Sequence, residues 1–143
     1  MSTIRSEAHL AELLGIPFSR PQLDAITAPL DGTGAIIAGA GSGKTTVMAA
    51  RVVWLVGHDG VAPDRILGLT FTTKAAAELG VRIRRSLEVL GVELDTVPTT
   101  STYHAFAGQL IAEHGLRLGV EPDLRIVTDA SRFQRMARVV ESY

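Results

Sequence analysis

The spacing of apolar residues predicts that helices alternate with short strands along this chain. Near the start, Ser6 and Ser19 are placed as N-caps of two short helices, the first of which ends at Gly15. Near-helical spacing then marks a largely buried helix that runs to Gly57 and contains Val47, Ala50, Val53, Trp54 and Val56. Thr72 or Thr73 caps a further helix ending at Gly91, with one buried face formed by Ala76, Leu79, Ile83, Leu87 and Leu90.

Between these helices lie apolar runs of strand length, at residues 35–37, 66–71 and 124–127. Residues 97–101 form a weaker strand candidate, since Pro98 confines it to a sheet edge or to the start of the strand. The alternation of strands and helices favours an α/β fold with a parallel sheet covered by helices.

Two helices are predicted in the last third of the chain. One spans residues 103–113 and turns Phe106, Leu110 and Ile111 inward. The other begins at Asp129 as its cap and places apolar and arginine side chains on different sides: Phe133, Met136 and Val140 on one, Arg132, Arg135 and Arg138 on the other.

Composition narrows the class of protein. The 143 residues carry 14 basic and 15 acidic side chains, so any binding of nucleic acid must come from a local patch. The sequence contains no cysteine, which excludes disulfides and cysteine-ligated zinc. It shows neither an apolar leader at the N-terminus nor a run long enough to span a membrane, so we expect a cytoplasmic protein with no membrane partner.

A glycine-rich segment between a predicted strand and a predicted helix carries the clearest chemistry. It reads Ala38, Gly39, Ala40, Gly41, Ser42, Gly43, Lys44, Thr45, and the helix continues with Thr46. Glycines allow backbone N–H groups to turn toward phosphate oxygens, and the N-terminus of the next helix points its own N–H groups at the same place. In such a P-loop, Lys44 reaches the β- and γ-phosphates and the Thr45 hydroxyl ligates Mg²⁺. The alternative is a turn that merely connects two elements.

Three further segments occur in a fixed order with this loop. Gln22 precedes it, the segment Thr70, Phe71, Thr72, Thr73, Lys74 follows the second predicted strand, and Thr102, Tyr103, His104 follow the third. In this order and spacing the chain resembles the start of the UvrD/Rep/PcrA-like superfamily 1 DNA helicases, whose Q motif and motifs I, Ia and Ib these segments match. The resemblance implies a RecA-like P-loop NTPase fold, with ATP and Mg²⁺ as cofactors and single-stranded DNA as partner.

The resemblance also implies roles for individual residues. Gln22 is similar to the family's reader of adenine, because an amide can both donate to and accept from the N6/N7 edge. Phe71 would stack on an unpaired base. The threonines and Lys74 around it would hold the phosphate backbone, and Thr102, Tyr103 and His104 would meet phosphate or sugar. Without the resemblance, Gln22 reads as an ordinary exposed helix residue and Phe71 as a residue of the core, and the alternative for His104 is a core histidine.

Several parts of an ATP-driven motor are not found in the sequence. Hydrolysis needs an acidic residue on Mg²⁺, a carboxylate that positions water and an arginine for the transferring phosphoryl group. Asp129 follows an apolar run, but no glutamate follows it, and it stands where a helix cap is wanted. We therefore expect residues 1–143 to be part of the first motor domain, cut before the Walker B strand, with an incomplete sheet that the remaining helicase domains or a partner chain completes.

Three functions remain open at this point. The first is the ATP-binding and single-strand-binding part of an ATP-dependent DNA helicase, inactive by itself. The second is a non-catalytic nucleotide-binding or interaction module that completes its sheet with a partner. The third, a small P-loop kinase or GTPase, is disfavoured because the sequence has neither an arginine-rich lid nor an Asn-Lys-x-Asp base reader.

Overall fold

The computed structural model describes residues 4–91, 96–121 and 129–142. The chain divides into two compact units, residues 1–103 and residues 104–143. The first unit holds the hydrophobic core and, apart from His104, the residues that the sequence marks for chemistry.

The first two helices are short and start at the serines predicted as caps. Helix α1 (Glu7–Leu14) has Ser6 as N-cap, whose side chain accepts a hydrogen bond from the His9 N–H, and it ends at Gly15 in the left-handed conformation. Helix α2 (Arg20–Ile26) follows Ser19 and carries a proline in its first turn. Leu10 and Ile26 anchor the two helices in the core with no exposed surface.

Helix α3 (Lys44–Gly57) is the centre of the first unit. All five residues predicted to be buried on it are buried, together with Ala49 and Val52. Gly57 lets the chain before α1 approach closely, because a Cβ at this position would lie 2.8 Å from Ile4 Cδ1 and 2.9 Å from Leu90 Cδ2.

A short 3₁₀ turn (Pro63–Arg65) leads into a parallel pair of strands, β1 (Leu67–Thr70) and β2 (Thr99–Thr102). Leu67 lies opposite Thr99 and Thr70 opposite Thr102. Pro98 stands just before β2, where its missing N–H costs no ladder bond, as predicted.

Helix α4 (Thr73–Val89) crosses between the strands and packs on them and on α3. Its predicted buried face is confirmed in full, and Gly91, in the left-handed conformation, follows its end. Gly80 permits the close approach to β2, since a Cβ there would lie 2.7 Å from Thr100 Oγ1.

The strand predicted at residues 35–37 is not formed, which corrects the sequence prediction. Residues 33–39 have no regular secondary structure, and residues 31–40 are exposed. A strand is defined by a hydrogen-bonded neighbour, and within the described residues the sheet consists of β1 and β2. The apolar run therefore leaves Ile36 and Ile37 with 49% and 97% of their surface exposed.

The second unit is helical in its described part. Helix α5 (Tyr103–His114) begins at its boundary and is followed by a 3₁₀ turn (Gly115–Leu118) and helix α6 (Asp129–Glu141). The prediction that α5 turns its apolar residues inward is wrong, because Phe106 is only half-buried and Leu110 and Ile111 are exposed. The predicted strand at 124–127 lies outside the described residues.

The described residues thus form a mixed fold of helices and a small parallel sheet, which confirms the α/β class. Among the helices of residues 4–91, 96–121 and 129–142, none has the length and apolar character needed to cross a membrane.

Candidate functional site

Two left-handed glycines give the loop before α3, residues 38–45, its backbone path. Gly41 has φ 76° and Gly43 has φ 83°, a region that residues with a side chain rarely adopt. The turn is closed by its own bonds, since the Ser42 hydroxyl donates to the Gly39 carbonyl at 2.8 Å and the Ser42 N–H donates to the same oxygen at 3.4 Å. We call these residues the glycine loop.

The loop delivers the chain directly into the first turn of α3. Gly43 is the N-cap, and the first helical hydrogen bond runs from the Val47 N–H to the Gly43 carbonyl at 2.9 Å. The N–H groups of Lys44, Thr45 and Thr46 precede that bond, so they have no acceptor within the helix. A helix start of this kind, which follows a glycine turn, favours an anion.

Lys44 folds back over the glycine loop. Its Nζ donates to the Ala38 carbonyl at 2.8 Å and to the Gly39 carbonyl at 2.6 Å. The side chain is exposed, and Thr45 beside it is exposed as well. The predicted phosphate-binding residues therefore lie next to each other, with the Lys44 ammonium group beside the carbonyls at the start of the glycine loop.

Gln22 connects α2 to the glycine loop, a contact that the sequence did not predict. Its Nε2 donates to the Ser42 carbonyl at 3.2 Å, and its Oε1 accepts from the Ser19 N–H at 2.9 Å. The spacing of Ser19 and Gln22 fits a capping box, which is the signal that could have indicated the second bond. An amide offers two N–H groups and two lone pairs, so half of its hydrogen-bonding capacity is left for a ligand.

A cleft of about 360 Å³ lies between the first turn of α2, the segment before the loop and the start of α3. This volume lies within the range of small-molecule clefts. Its lining combines apolar walls with the polar groups described above: Ser19, Pro21, Gln22, Ala25, Ala35, Ile36, Ile37, Ala38, Ser42, Lys44 and Val47.

The second group of predicted residues lies at the carboxyl end of the parallel pair. Phe71 follows β1 and is 89% exposed, so the alternative that it belongs to the core is wrong. Tyr103 follows β2 and is 49% exposed. Because Thr70 and Thr102 are opposite in the register, the two rings come together, with centroids 5.2 Å apart and planes tilted by 36°. They form an open aromatic surface at one end of the sheet.

Threonines and a lysine continue this surface into α4. The Thr72 hydroxyl caps the helix by accepting from the Ala75 N–H at 3.1 Å, and the Thr70 hydroxyl donates to the Thr72 carbonyl at 3.0 Å. Thr73 and Lys74 occupy the exposed first turn, with Lys74 Nζ 3.9 Å from Glu78 Oε1. We call Thr70–Lys74 together with Thr102 and Tyr103 the strand-end site.

His104 and Thr102 complete the predicted set. Thr102 ends β2 and is half-buried. His104 is exposed on α5 in the second unit, so the alternative that it is a core histidine is wrong.

Comparison with known proteins identifies the family of this chain. Residues 18–143 match the family model described as the UvrD/REP helicase N-terminal domain. The chain is 32% identical over 120 residues to DNA helicase II of Haemophilus influenzae, covering 84% of this chain and 16% of that protein. It is 37% identical over 105 residues to the ATP-dependent DNA helicase PcrA of Leuconostoc citreum, covering 73% of this chain and 14% of the relative.

A probable DNA helicase of Mycoplasma pneumoniae is 36% identical over 125 residues, covering 79% of this chain and 21% of that protein. The chain thus spans about a fifth or less of the length of these relatives. The match of the family model across both the glycine loop and the strand-end site shows that the chain belongs to the UvrD/REP helicase N-terminal domain family.

Proposed function

We propose that this chain is the ATP-binding and single-stranded-DNA-binding part of an ATP-dependent DNA helicase. The observation that carries the proposal is the placement of Lys44 and Thr45 at the N-terminus of a 14-residue helix, directly after a turn in which Gly41 and the N-cap Gly43 are left-handed. That backbone is suited to a polyphosphate, and a relative of this chain is named an ATP-dependent DNA helicase.

The residues around the glycine loop divide the binding of Mg·ATP between them. Lys44 exchanges its bonds to the Ala38 and Gly39 carbonyls for β- and γ-phosphate oxygens, and the Thr45 hydroxyl ligates Mg²⁺. Backbone N–H groups of Ala40, Gly41 and Ser42, with those of the first helical turn through Thr46, hold the remaining phosphate oxygens. Ser42 gives up its 3.4 Å bond to the Gly39 carbonyl to do so.

Gln22 selects the base in this proposal. The N–H and the lone pair that it does not use on Ser42 and Ser19 are suited to the N6/N7 edge of adenine. Guanine presents an acceptor at the position of the adenine amino group, so we expect ATP to bind more tightly than GTP.

The strand-end site holds the DNA. Phe71 and Tyr103 stack on unpaired bases, which is favourable for any base sequence. The exposed N-terminal turn of α4, with Thr73 and Lys74, contacts the backbone phosphates, and the hydroxyls of Thr70, Thr72 and Thr102 add contacts to phosphate or sugar. For His104, in the second unit, a contact to phosphate or sugar stays a prediction from the resemblance.

Unwinding requires more than these residues. The chain covers 16% of DNA helicase II of Haemophilus influenzae, and the acidic and arginine residues needed for hydrolysis would come from the remaining domains. The exposed segment that contains Ile36 and Ile37 is where the sheet would be completed, either by those domains or by a partner chain. We expect the 143 residues alone to bind nucleotide weakly and to unwind nothing.

The two lysines of the chain permit a direct test, because Lys44 lies in the glycine loop and Lys74 in the strand-end site. We expect Lys44→Ala to abolish binding of a fluorescent ATP analogue in the presence of Mg²⁺ and to leave the affinity for labelled oligo-dT unchanged. Lys74→Ala should leave nucleotide binding unchanged and weaken oligo-dT binding several-fold.

The proposal fails if Lys44→Ala binds the nucleotide as well as the unmodified chain does. It also fails if GTP competes as effectively as ATP and oligo-dT does not bind at all. Circular dichroism of each variant shows whether a loss of binding follows from a loss of structure.

A further inference from the structure

An arginine of α4 is bonded to the first turn of α3, and this contact has no role in the function proposed above. We propose that Arg82 is a positioning residue that couples the glycine loop to the strand-end site, so that occupancy of one changes the affinity of the other. The inference rests on the proposed function, because it needs a nucleotide at the first site and a single strand at the second.

On α3, the acceptor is Thr46, which directly follows Thr45, the predicted Mg²⁺ ligand. Arg82 Nη1 donates to Thr46 Oγ1 at 2.6 Å. A short hydrogen bond from a guanidinium is stronger than one between neutral groups. Thr46 is the third residue of α3, so its backbone N–H belongs to the turn that faces the phosphates. Any shift of that turn around a ligand moves the acceptor of Arg82.

On the α4 side, the arginine is held by a rigid element. Leu79 and Ile83, three residues before Arg82 and one after it, are each 2% exposed. The same helix begins at the strand-end site, where Thr72 caps it. A displacement imposed at Arg82 is therefore transmitted along a packed helix to the residues that would contact DNA, because packed cores move as units rather than deform locally.

The hydrogen bond lies beside a cleft rather than inside the core. The cleft has a volume of about 220 Å³ and is lined by Leu14, Ile16, Thr46, Ala49, Ala50, Arg82 and Ser86. The alanines of α3 are small, so beside this cleft the guanidinium is a polar connection between two helices that otherwise meet through apolar side chains. The neighbouring Arg85 is exposed on the same helix and offers a matched control of equal charge.

The test measures coupling rather than affinity alone. The ratio of the dissociation constants for a fluorescent ATP analogue with and without saturating oligo-dT gives the coupling factor, which must equal the reciprocal measurement with DNA as the titrant. For the unmodified chain we expect this factor to differ from one by about fivefold or more. Arg82→Ala and Thr46→Val should each bring it to about one, and the double variant should be no different from either single variant.

Each other outcome has a distinct meaning. A destabilised fold would weaken the binding of both ligands and would move the ratio away from one, because each ligand then also shifts the folding equilibrium, so it would not imitate a loss of coupling. Arg85→Ala should retain the ratio of the unmodified chain. If Arg82→Ala loses the coupling but Thr46→Val keeps it, the arginine acts on a ligand directly and the inference is overturned. The inference is also overturned if the unmodified chain binds both ligands with a ratio of one. If it binds neither ligand, the proposed function fails and the inference fails with it.

Discussion

The glycine loop is exposed along residues 38–42 and its path is determined by two left-handed glycines, whereas the strand-end site is the exposed end of a buried structure. Behind Thr72, helix α4 places Ala76, Leu79, Ile83 and Leu87 in the core, and the parallel pairing of β1 and β2 brings Phe71 to Tyr103. The conformation of the glycine loop thus depends on local backbone preference, whereas the strand-end site depends on the packing of residues that are far apart in the sequence.

This difference indicates which perturbations each region resists. Changes to backbone freedom should damage the glycine loop with little effect on the fold, because few buried contacts depend on it. Loss of core volume should damage the strand-end site together with the whole first unit, because its residues continue directly from buried elements. The variants below separate the dependence on backbone conformation from the dependence on core packing.

The largest expected effect follows from removing core volume behind the strand-end site. Leu79 is 2% exposed, so Leu79→Ala should lower the free energy of unfolding by roughly 2–5 kcal/mol, because it removes buried methyl groups and leaves a cavity. Val81 lies on the same helix with 52% of its surface exposed, and Val81→Ala should change stability by about 0.5 kcal/mol or less. Urea denaturation of both variants measures the difference, and equal midpoints would contradict the assignment of this face to the core.

The next effect is on binding rather than on stability. Phe71→Ala should weaken oligo-dT binding by roughly 1–3 kcal/mol, because it removes the ring on which a base would stack. With 89% of its surface exposed, Phe71 contributes little to the core, so the urea midpoint should remain that of the unmodified chain. Phe133→Ala is the control, since this ring on α6 is also exposed, at 76%. Fluorescence anisotropy measures binding, and a Phe71→Ala chain that binds oligo-dT normally would remove the single-strand role of this ring.

The fold was predictable from the sequence wherever local signals agreed with each other. The buried faces of α3 and α4 follow a helical repeat bounded by a threonine cap and glycines, and the structure confirms every residue of both faces. The repeat specifies which side of a helix is apolar, but not whether another element covers it. That is why Leu110 and Ile111 on α5 were expected to be buried and are exposed. Residues 35–37 were misread for the same reason, since a strand depends on a neighbour.

The residues of the candidate site could be proposed from the sequence, whereas the contacts among them could not. Gly43, Lys44 and Phe71 were recognisable from motifs whose chemistry is local to a few residues. The bond from Gln22 to the Ser42 carbonyl spans 20 residues, and that from Arg82 to Thr46 spans 36. Such bonds arise only when helices pack together, so no spacing rule along the chain indicates them.

The glycine loop offers a test of backbone preference with a smaller expected effect. Gly43→Ala should raise the free energy of the loop conformation by about 1–2 kcal/mol, because a side chain is unfavourable at φ 83°. Its Cβ would also lie 3.4 Å from Gln22 Nε2, so the loss should be visible as weaker binding of the ATP analogue. Gly34→Ala is the control, because Gly34 lacks a positive φ and a Cβ there would meet nothing within 4 Å. Nucleotide affinity that is equal in both variants would mean that the left-handed turn is not needed.

The smallest effect is expected at Thr72, the N-cap of α4, where an exposed residue of the strand-end site begins a helix of the core. Thr72→Ala should lower the free energy of unfolding by about 1 kcal/mol, because the Ala75 N–H loses its acceptor. Thr73→Ala, one residue further on, removes a similar hydroxyl from inside the helix and should be close to neutral, since alanine has the higher helix propensity. Both variants lose one possible phosphate contact, so oligo-dT affinity alone does not separate them. Comparison of urea midpoints does, and a larger loss for Thr73→Ala than for Thr72→Ala would show that α4 does not start where the structure places it.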